Sequence, residues 1–361
     1  MTNTEQSPVD ILLVAALKME LNAALNALSE RDVKMESDEV NGLPVQNCQL
    51  TLPSGRMLRL VAARPTRMGP TATSTLASTL TTSLKPHAIA MCGVCAGNPA
   101  EVALGDVVIA ELAFAHDEGR RTTAGFEPDH RQIPMDDQWL HLAQELTPNG
   151  LPSFGPAAAE LLLAQVVRAV AEGRKPTADL LVRRLANGDA RSALVRAEDD
   201  GLIRRTGPDF QLTAAGTAFL DQASAYGEAP WTTLPFSIRP GPMASGGVVV
   251  KDGVTWDSLR IAGVRTITAL DMEAAAIAQV AHRLRVPHWI VVKGIMDYAD
   301  PAKDDRVKPF AARAAADVLL RFLEHATWPS SPNELQNSPS INTIGDVNGS
   351  FNDISQVFKP Q

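Results

Sequence analysis

The apolar positions of this chain fall into short runs separated by helical patterns. VDILLVAAL is continuous and apolar, the pattern of a strand buried on both faces of a sheet. KMELNAALNALSE then shows apolar residues at helical spacing. MLRLVAARP predicts a second strand and GPTATSTLASTLTTSL a helix of small residues. PHAIAMCGVCAG predicts a strand running into a glycine turn, and GDVVIAELAF a further strand. Strands alternating with helices predict a three-layer α/β fold around a twisted mixed sheet.

From residue 151 the texture changes. The stretch to residue 230 is mainly helical, and its centre, SALVRAEDDGLIRRTGPDFQLTAAGTAFL, has the order helix, two short strands about a glycine turn, helix. That order predicts a winged-helix-like insertion. Its basic and acidic residues nearly balance, so it reads as an interaction or oligomerisation module rather than a DNA-binding one. The α/β pattern resumes at PFSIRPGPMASGGVVV. The expected organisation is therefore one α/β domain in two parts, 1–150 and 231–328, the insertion 151–230 between them, and a polar tail 329–361. In the tail, Ile344, Val347, Phe351, Ile354 and Val357 are spaced apolar residues around an Asn-Gly turn signal, a candidate segment for docking on a partner.

Composition narrows the class. Of 361 residues, 45% are hydrophobic and 20% charged, as in a soluble globular protein. A net charge of −8 argues against nucleic acid or an anionic membrane as partner. Three cysteines, Cys48, Cys92 and Cys95, suit a reducing cytoplasm. The N-terminus has no signal-peptide pattern and no apolar run reaches spanning length.

Three carboxylates stand out. Glu20 follows the first strand, where ligands of parallel α/β sheets bind; an N-terminal helix acid favoured by the dipole is the plainer alternative. Asp297 ends the apolar run HWIVVKGIMD, and a strand-end acid is a better functional candidate than a surface one. Glu273 heads the alanine-rich run of ALDMEAAAIA, where a carboxylate must be paired, capped against the helix, or used. Cys92 and Cys95 form a C-x-x-C, but with one other, remote cysteine they read as small side chains in a tight turn rather than a zinc or redox site.

Taken together, AALKMEL, GVCAG, ASGGVVV, DMEAAAIA and GIMDYAD resemble the motifs of the nucleoside phosphorylase superfamily, in its hydrolytic branch of methylthioadenosine/S-adenosylhomocysteine nucleosidases. The resemblance covers most of 9–148 and 232–325. It implies a purine N-glycosidase of the three-layer phosphorylase/hydrolase-like fold, needing no metal and no cofactor. By the same resemblance Glu20 orients the attacking water and Asp297 serves the purine N7. Glu273 holds the ribose hydroxyls beneath Met272. Cys95, Ala96 and Gly97 form a purine-side turn, Val249 and Val250 lie against the base, Met68 belongs to the pocket, and Phe310 of VKPF closes it. Two positions depart from the family pattern. Cys95 stands for the serine beside the N7 aspartate, and Cys92 stands where the phosphorylases carry a phosphate-binding arginine, which favours water over phosphate as nucleophile.

The expected substrate is an adenine nucleoside or nucleotide. Arg64, Arg67, Arg120 and Arg121 are candidates for 5′ phosphates, with ordinary surface arginines as the alternative. With them the chain reads as a bacterial antiphage or stress effector that depletes adenine nucleotides. Methylthioadenosine salvage, a purine nucleoside phosphorylase, and a non-catalytic nucleoside sensor with the winged helix as output are the other readings. The resemblance also implies a homo-oligomer in which His116 or Asp117 approaches a neighbouring site, with the insertion or tail open to a protein partner.

Overall fold

The computed structural model of the chain describes residues 9–123, 125–226, 231–253, 255–261, 266–301 and 305–329. The spaced apolar residues of the tail lie outside them. By contacts the chain divides into Met1–Ala326 and Thr327–Gln361, the second represented by residues 327–329.

The first half runs β1 (Ile11–Val14), α1 (Lys18–Ser29), β2 (Met35–Val40), β3 (Leu43–Thr51), β4 (Met57–Ala63), α2 (Pro70–Leu84), β5 (Ala88–Gly97) and β6 (Val107–Ala115). A small hairpin, β7 (Gly119–Thr122) and β8 (Gly125–Pro128), the short β9 (Ile133–Pro134) and α3 (Asp137–Glu145) complete it. The segment 151–230, expected to be an insertion, holds α4 (Ala159–Ala171), α5 (Leu180–Ala186), α6 (Ala190–Asp199), the hairpin β10 (Ile203–Thr206) and β11 (Asp209–Leu212), and α7 (Ala214–Tyr226). Then come β12 (Ile238–Ser245), α8 (Thr255–Ile261), β13 (Ala269–Asp271), α9 (Ala274–Leu284), β14 (His288–Asp297) and α10 (Lys308–His325).

The main sheet has ten strands and is mixed. β1 lies parallel between β4 and β5, and β14 is parallel to β5. β6 is antiparallel to β14 and parallel to β12. β13 pairs with β12 and also, antiparallel, with β5. The strands β5, β14, β6, β12 and β13 therefore close into a ring, and the ends of β5, β13 and β14 converge. Helices cover both faces, α1 and α10 on one, α2 and α9 on the other, giving the three expected layers. The core strands β1 and β5 are buried at every position, which explains their unbroken apolar runs.

Two expectations change here. GVCAG is not a turn: β5 continues through it to Gly97, held by β14 on one side and β13 on the other. Its glycines serve close packing. A Cβ at Gly97 would lie 2.6 Å from a Val102 methyl and 2.7 Å from an Ile295 methyl, and one at Gly93 would collide with the Glu20 carboxylate. ASGGVVV is a strand only as far as Ser245; the paired glycines end β12, and Val249 and Val250 belong to the loop beyond.

The insertion builds its own small core around Val166, Val167, Val182, Ala197 and Ile203. At its foot Phe154 bridges Leu234, so the entering and leaving segments run side by side. Arg184 of α5 ion-pairs with buried Asp106, and Arg306 donates to Gln165 of α4 at 2.9 Å.

Candidate active site

One cavity, of about 740 Å³ including its open mouth, lies where the ends of β5, β13 and β14 meet the first turn of α1. Its wall includes Glu20, Asp271, Glu273 and Asp297, with Met68, Met272, Cys95, Ala96, Val249 and Val250. These residues come from segments separated by more than 200 positions in the chain, brought together by the converging strand ends.

Glu20 is in the first turn of α1 and 2% exposed. Its Oε2 accepts from the Leu17 backbone N–H at 2.8 Å, closing the helix start, and its Oε1 accepts from Val94 N–H of β5 at 2.8 Å. The two amides fix the carboxylate at the cavity wall. Glycine at position 93 leaves room for it.

Glu273 precedes α9, but its side chain does not cap the helix. Asp271 does: its carboxylate accepts from Ala274 N–H at 3.0 and 3.1 Å and from Ser245 Oγ at 2.6 Å, while Ser245 Oγ in turn accepts from Ala275 N–H at 2.9 Å. That arrangement leaves Glu273 for other partners. It accepts from Gly69 N–H at 2.8 Å and lies 3.5 Å from Lys293 Nζ, which is also 3.2 Å from Asp271. Burial pushes the Glu273 carboxyl above its usual range; Lys293 and the Gly69 amide pull it down, and Asp271 and Glu20 push it up. Lys293 is completely buried. Burial alone would lower its ammonium, but Asp271, Glu273 and Glu20 outweigh that and hold it charged.

Lys293 and Asp271 complete this buried cluster, and pattern reading does not pick them out. The available signal was a single lysine at the centre of HWIVVKGIMD, since a buried strand tolerates a cation only where carboxylates meet it. Among the described residues no three His, Cys, Asp or Glu side chains are grouped to hold a metal.

Asp297 ends β14, is 5% exposed, and accepts from Ala299 N–H at 2.9 Å. Ala299 reaches that position in a left-handed conformation, φ 58°, a strained choice for alanine that keeps the DYAD turn tight. Burial pushes the Cys92 thiol up to about 12 and that of Cys95 well above the ordinary thiol range, so neither is a thiolate at neutral pH.

Several sequence candidates stand apart. Phe310 is 1% exposed and does not line the cavity; its ring packs against Phe236, 6.0 Å between centroids, at the foot of the insertion. An aromatic at the start of α10 was thus read toward the wrong side of the helix. Gly97 packs on Val102 and Ile295 rather than facing the cavity. Arg64 and Arg67 line a separate groove between β3, β4 and α2. Arg120 and Arg121 are exposed on the β7–β8 hairpin, where Arg120 pairs with Glu127 at 2.7 Å. His116 and Asp117 flank the end of β12, Asp117 accepting from Gly247 N–H at 2.6 Å. Lys308, at the start of α10, does line the cavity and was not foreseen.

Comparisons with known proteins give the family and the fold. A family model described as the phosphorylase superfamily matches residues 11–179 and 179–324. The ATP nucleosidase Cap17 of Escherichia coli (strain KTE188) is 22% identical over 316 residues, 87% of this chain and 51% of that protein. A 5'-methylthioadenosine/S-adenosylhomocysteine nucleosidase of Glaesserella parasuis serovar 5 is 38% identical over 63 residues, 17% of this chain and 27% of that protein. The chain spans about half the length of the first curated relatives it matches. Among solved structures, futalosine hydrolase of Helicobacter pylori strain 26695 superposes with a TM-score of 0.54 at 14% identity, covering 88% of this chain and 98% of that one. The methylthioadenosine/S-adenosylhomocysteine nucleosidase of Neisseria meningitidis gives 0.53 at 16%, covering 88% and 99%.

Proposed function

We propose, given that the chain belongs to the phosphorylase superfamily, that its cavity hydrolyses the N-glycosidic bond of a purine nucleoside or nucleotide, adenine being the base. The observation that carries this reading is the convergence of Glu20, Glu273 and Asp297 on one cavity wall. The relatives support the same reading: one is an ATP nucleosidase, another a 5'-methylthioadenosine/S-adenosylhomocysteine nucleosidase, and a structural neighbour is a futalosine hydrolase.

Cleavage of this bond passes through a cation-like sugar, as glycoside hydrolysis does. In this reading Glu20 binds and polarises the water that attacks C1′. Its two backbone amide bonds hold the carboxylate still while leaving acceptor capacity for that water. Glu273 accepts from the ribose hydroxyls and places negative charge near the developing cation. Lys293 favours the ionised form of Glu273 against burial, and Asp271, which also meets the ammonium, helps hold Lys293 in place. Asp297 supplies or shares the proton at the purine N7, so the base leaves neutral. Val249 and Val250 lie against the base, and Met272 and Met68 against the sugar.

The insertion, in winged-helix-like order, and the tail 329–361 are proposed as interaction elements of an effector that depletes adenine nucleotides. Salvage of a methylthio nucleoside requires neither. The test is release of free base from adenosine, methylthioadenosine, AMP and ATP in phosphate-free buffer, with Glu20→Gln as control. Base release that depends on added phosphate would replace hydrolysis with phosphorolysis, and binding without release would make the domain a sensor.

A further inference from the structure

The charge on the cavity wall is lopsided. Four carboxylates line it, Glu20, Asp271, Glu273 and Asp297, and Lys308 is the one cationic side chain among the described lining residues. The buried Lys293 sits behind the wall and is already neutralised by Asp271 and Glu273. The cations that flank Lys308 along the chain are engaged as well: Arg306 donates to Gln165, and Arg313 ion-pairs with Glu30 and Asp317. Among the described residues Lys308 has no acidic partner.

Its position is specific. Pro309, the next residue, walls a hollow together with Met19 of α1, so the start of α10 is seated on the first turn of α1. Lys308 lines the same cavity as Leu17 and Glu20, and the packing of α10 on α1 puts it at the end of the cavity that the reading above gives to the sugar, with the loop of Val249 and Val250 given to the base. An uncharged 5′ group gains nothing from an ammonium there, and the ammonium loses hydration as the cavity fills. An anionic 5′ group would meet four carboxylates and needs a counter-charge at this place. Arg64, Arg67, Arg120 and Arg121 do not line the cavity.

We infer that Lys308 is the specificity-determining residue of the site, the cation that accepts a 5′ phosphate, and that the substrates are nucleotides in preference to uncharged nucleosides. This rests on the N-glycosidase reading of the cavity. The experiment compares kcat/KM for AMP, ATP and adenosine in phosphate-free buffer for the full chain and for Lys308→Met and Lys308→Arg, each checked for an unchanged melting temperature. The wild type prefers the nucleotides. Lys308→Met lowers the nucleotide-to-adenosine ratio by about 10- to 100-fold, mainly through KM, as loss of a charge-assisted contact does. Lys308→Arg retains most of the preference. A ratio unchanged in Lys308→Met overturns the assignment of Lys308 while leaving the N-glycosidase reading intact. Base release that appears in the wild type only on adding inorganic phosphate, and is lost in Lys308→Met, also overturns it, because the lysine then holds the nucleophile. No base from any compound, in the wild type itself, overturns both.

Discussion

Gly93 lies directly beneath Glu20: a Cβ at position 93 would collide with the Glu20 carboxylate, whose Oε1 already accepts from the neighbouring Val94 N–H at 2.8 Å. The strand and the helix are shaped to each other at this point, and the fit sets where the carboxylate proposed to bind the water stands. Gly93→Ala should displace it. Turnover should fall by about 10²-fold, the cost of a misplaced reacting group, with the binding of a nucleoside analogue changed far less. Steady-state kinetics with a calorimetric titration separates the two effects. Unaltered turnover would mean that the position of Glu20 is immaterial.

Lys293 should show itself in a pH profile. It pulls the Glu273 carboxyl down against burial and the neighbouring acids. In Lys293→Met that restraint is gone, Glu273 holds its proton to higher pH, and the acidic limb of kcat/KM moves upward. Removing one partner of a buried ion cluster should also cost about 3–5 kcal/mol of stability. A lower melting temperature with an unmoved acidic limb would make Lys293 a structural residue alone.

Asp297 should matter in proportion to the basicity of the leaving group. Asp297→Asn should reduce adenine release by about 10²–10⁴-fold. A riboside of nitrophenol, which leaves readily as an anion, should be cleaved by the same variant with a much smaller loss. Equal losses on both substrates would remove the proton-donor role.

At the opposite end of the sheet, His87 packs edge-on to His288, 5.0 Å between centroids, and His288 stacks on Trp139 at 4.5 Å. Burial, then the charge of His288, holds His87 down to about 4 from an ordinary 6.5, and burial lowers His288 as well. The unfolded chain thus takes up protons between about pH 6.5 and 4 that the folded chain resists. Stability from the neutral pair is present in full above pH 6.5 and is lost as pH falls toward 4. Thermal melts across that range should decline less steeply in His87→Phe than in the wild type. Parallel declines would place the acid sensitivity elsewhere.

Much of the fold was legible because the strands are buried on both faces, and unbroken runs such as VDILLVAAL have few alternative readings. The hairpin of β2 and β3 was missed although its signal was present: Asn41 and Gly42 both have positive φ, 52° and 76°, as a two-residue turn between strands requires. Its strand β2, MESDEV, is too polar to register as a strand, because that edge faces solvent. The glycines of β5 suggested a turn because sequence does not reveal what approaches them; here it is Glu20, Val102 and Ile295. Within the cavity, Asp297 could be picked out as an acid at a strand end, and Glu20 and Glu273 as acids at helix starts just beyond strands. Lys293 could not be assigned without knowing that Asp271 and Glu273 meet it from another strand, and Phe310 was misdirected because the side of a helix facing a ligand is a tertiary property.

Hydrolysis of an N-glycosidic bond should depend on three of the cavity's carboxylates, Glu20, Glu273 and Asp297. The most direct measurement is chromatographic detection of free adenine from AMP and ATP in phosphate-free buffer, for the wild type, Glu20→Gln, Glu273→Gln and Asp297→Asn. The wild type should release adenine and leave the corresponding ribose phosphate, with each variant slowed by about 10²-fold or more while remaining folded. Adenine release at the wild-type rate from any of the three variants, or none from the wild type with either nucleotide or with adenosine, would contradict it.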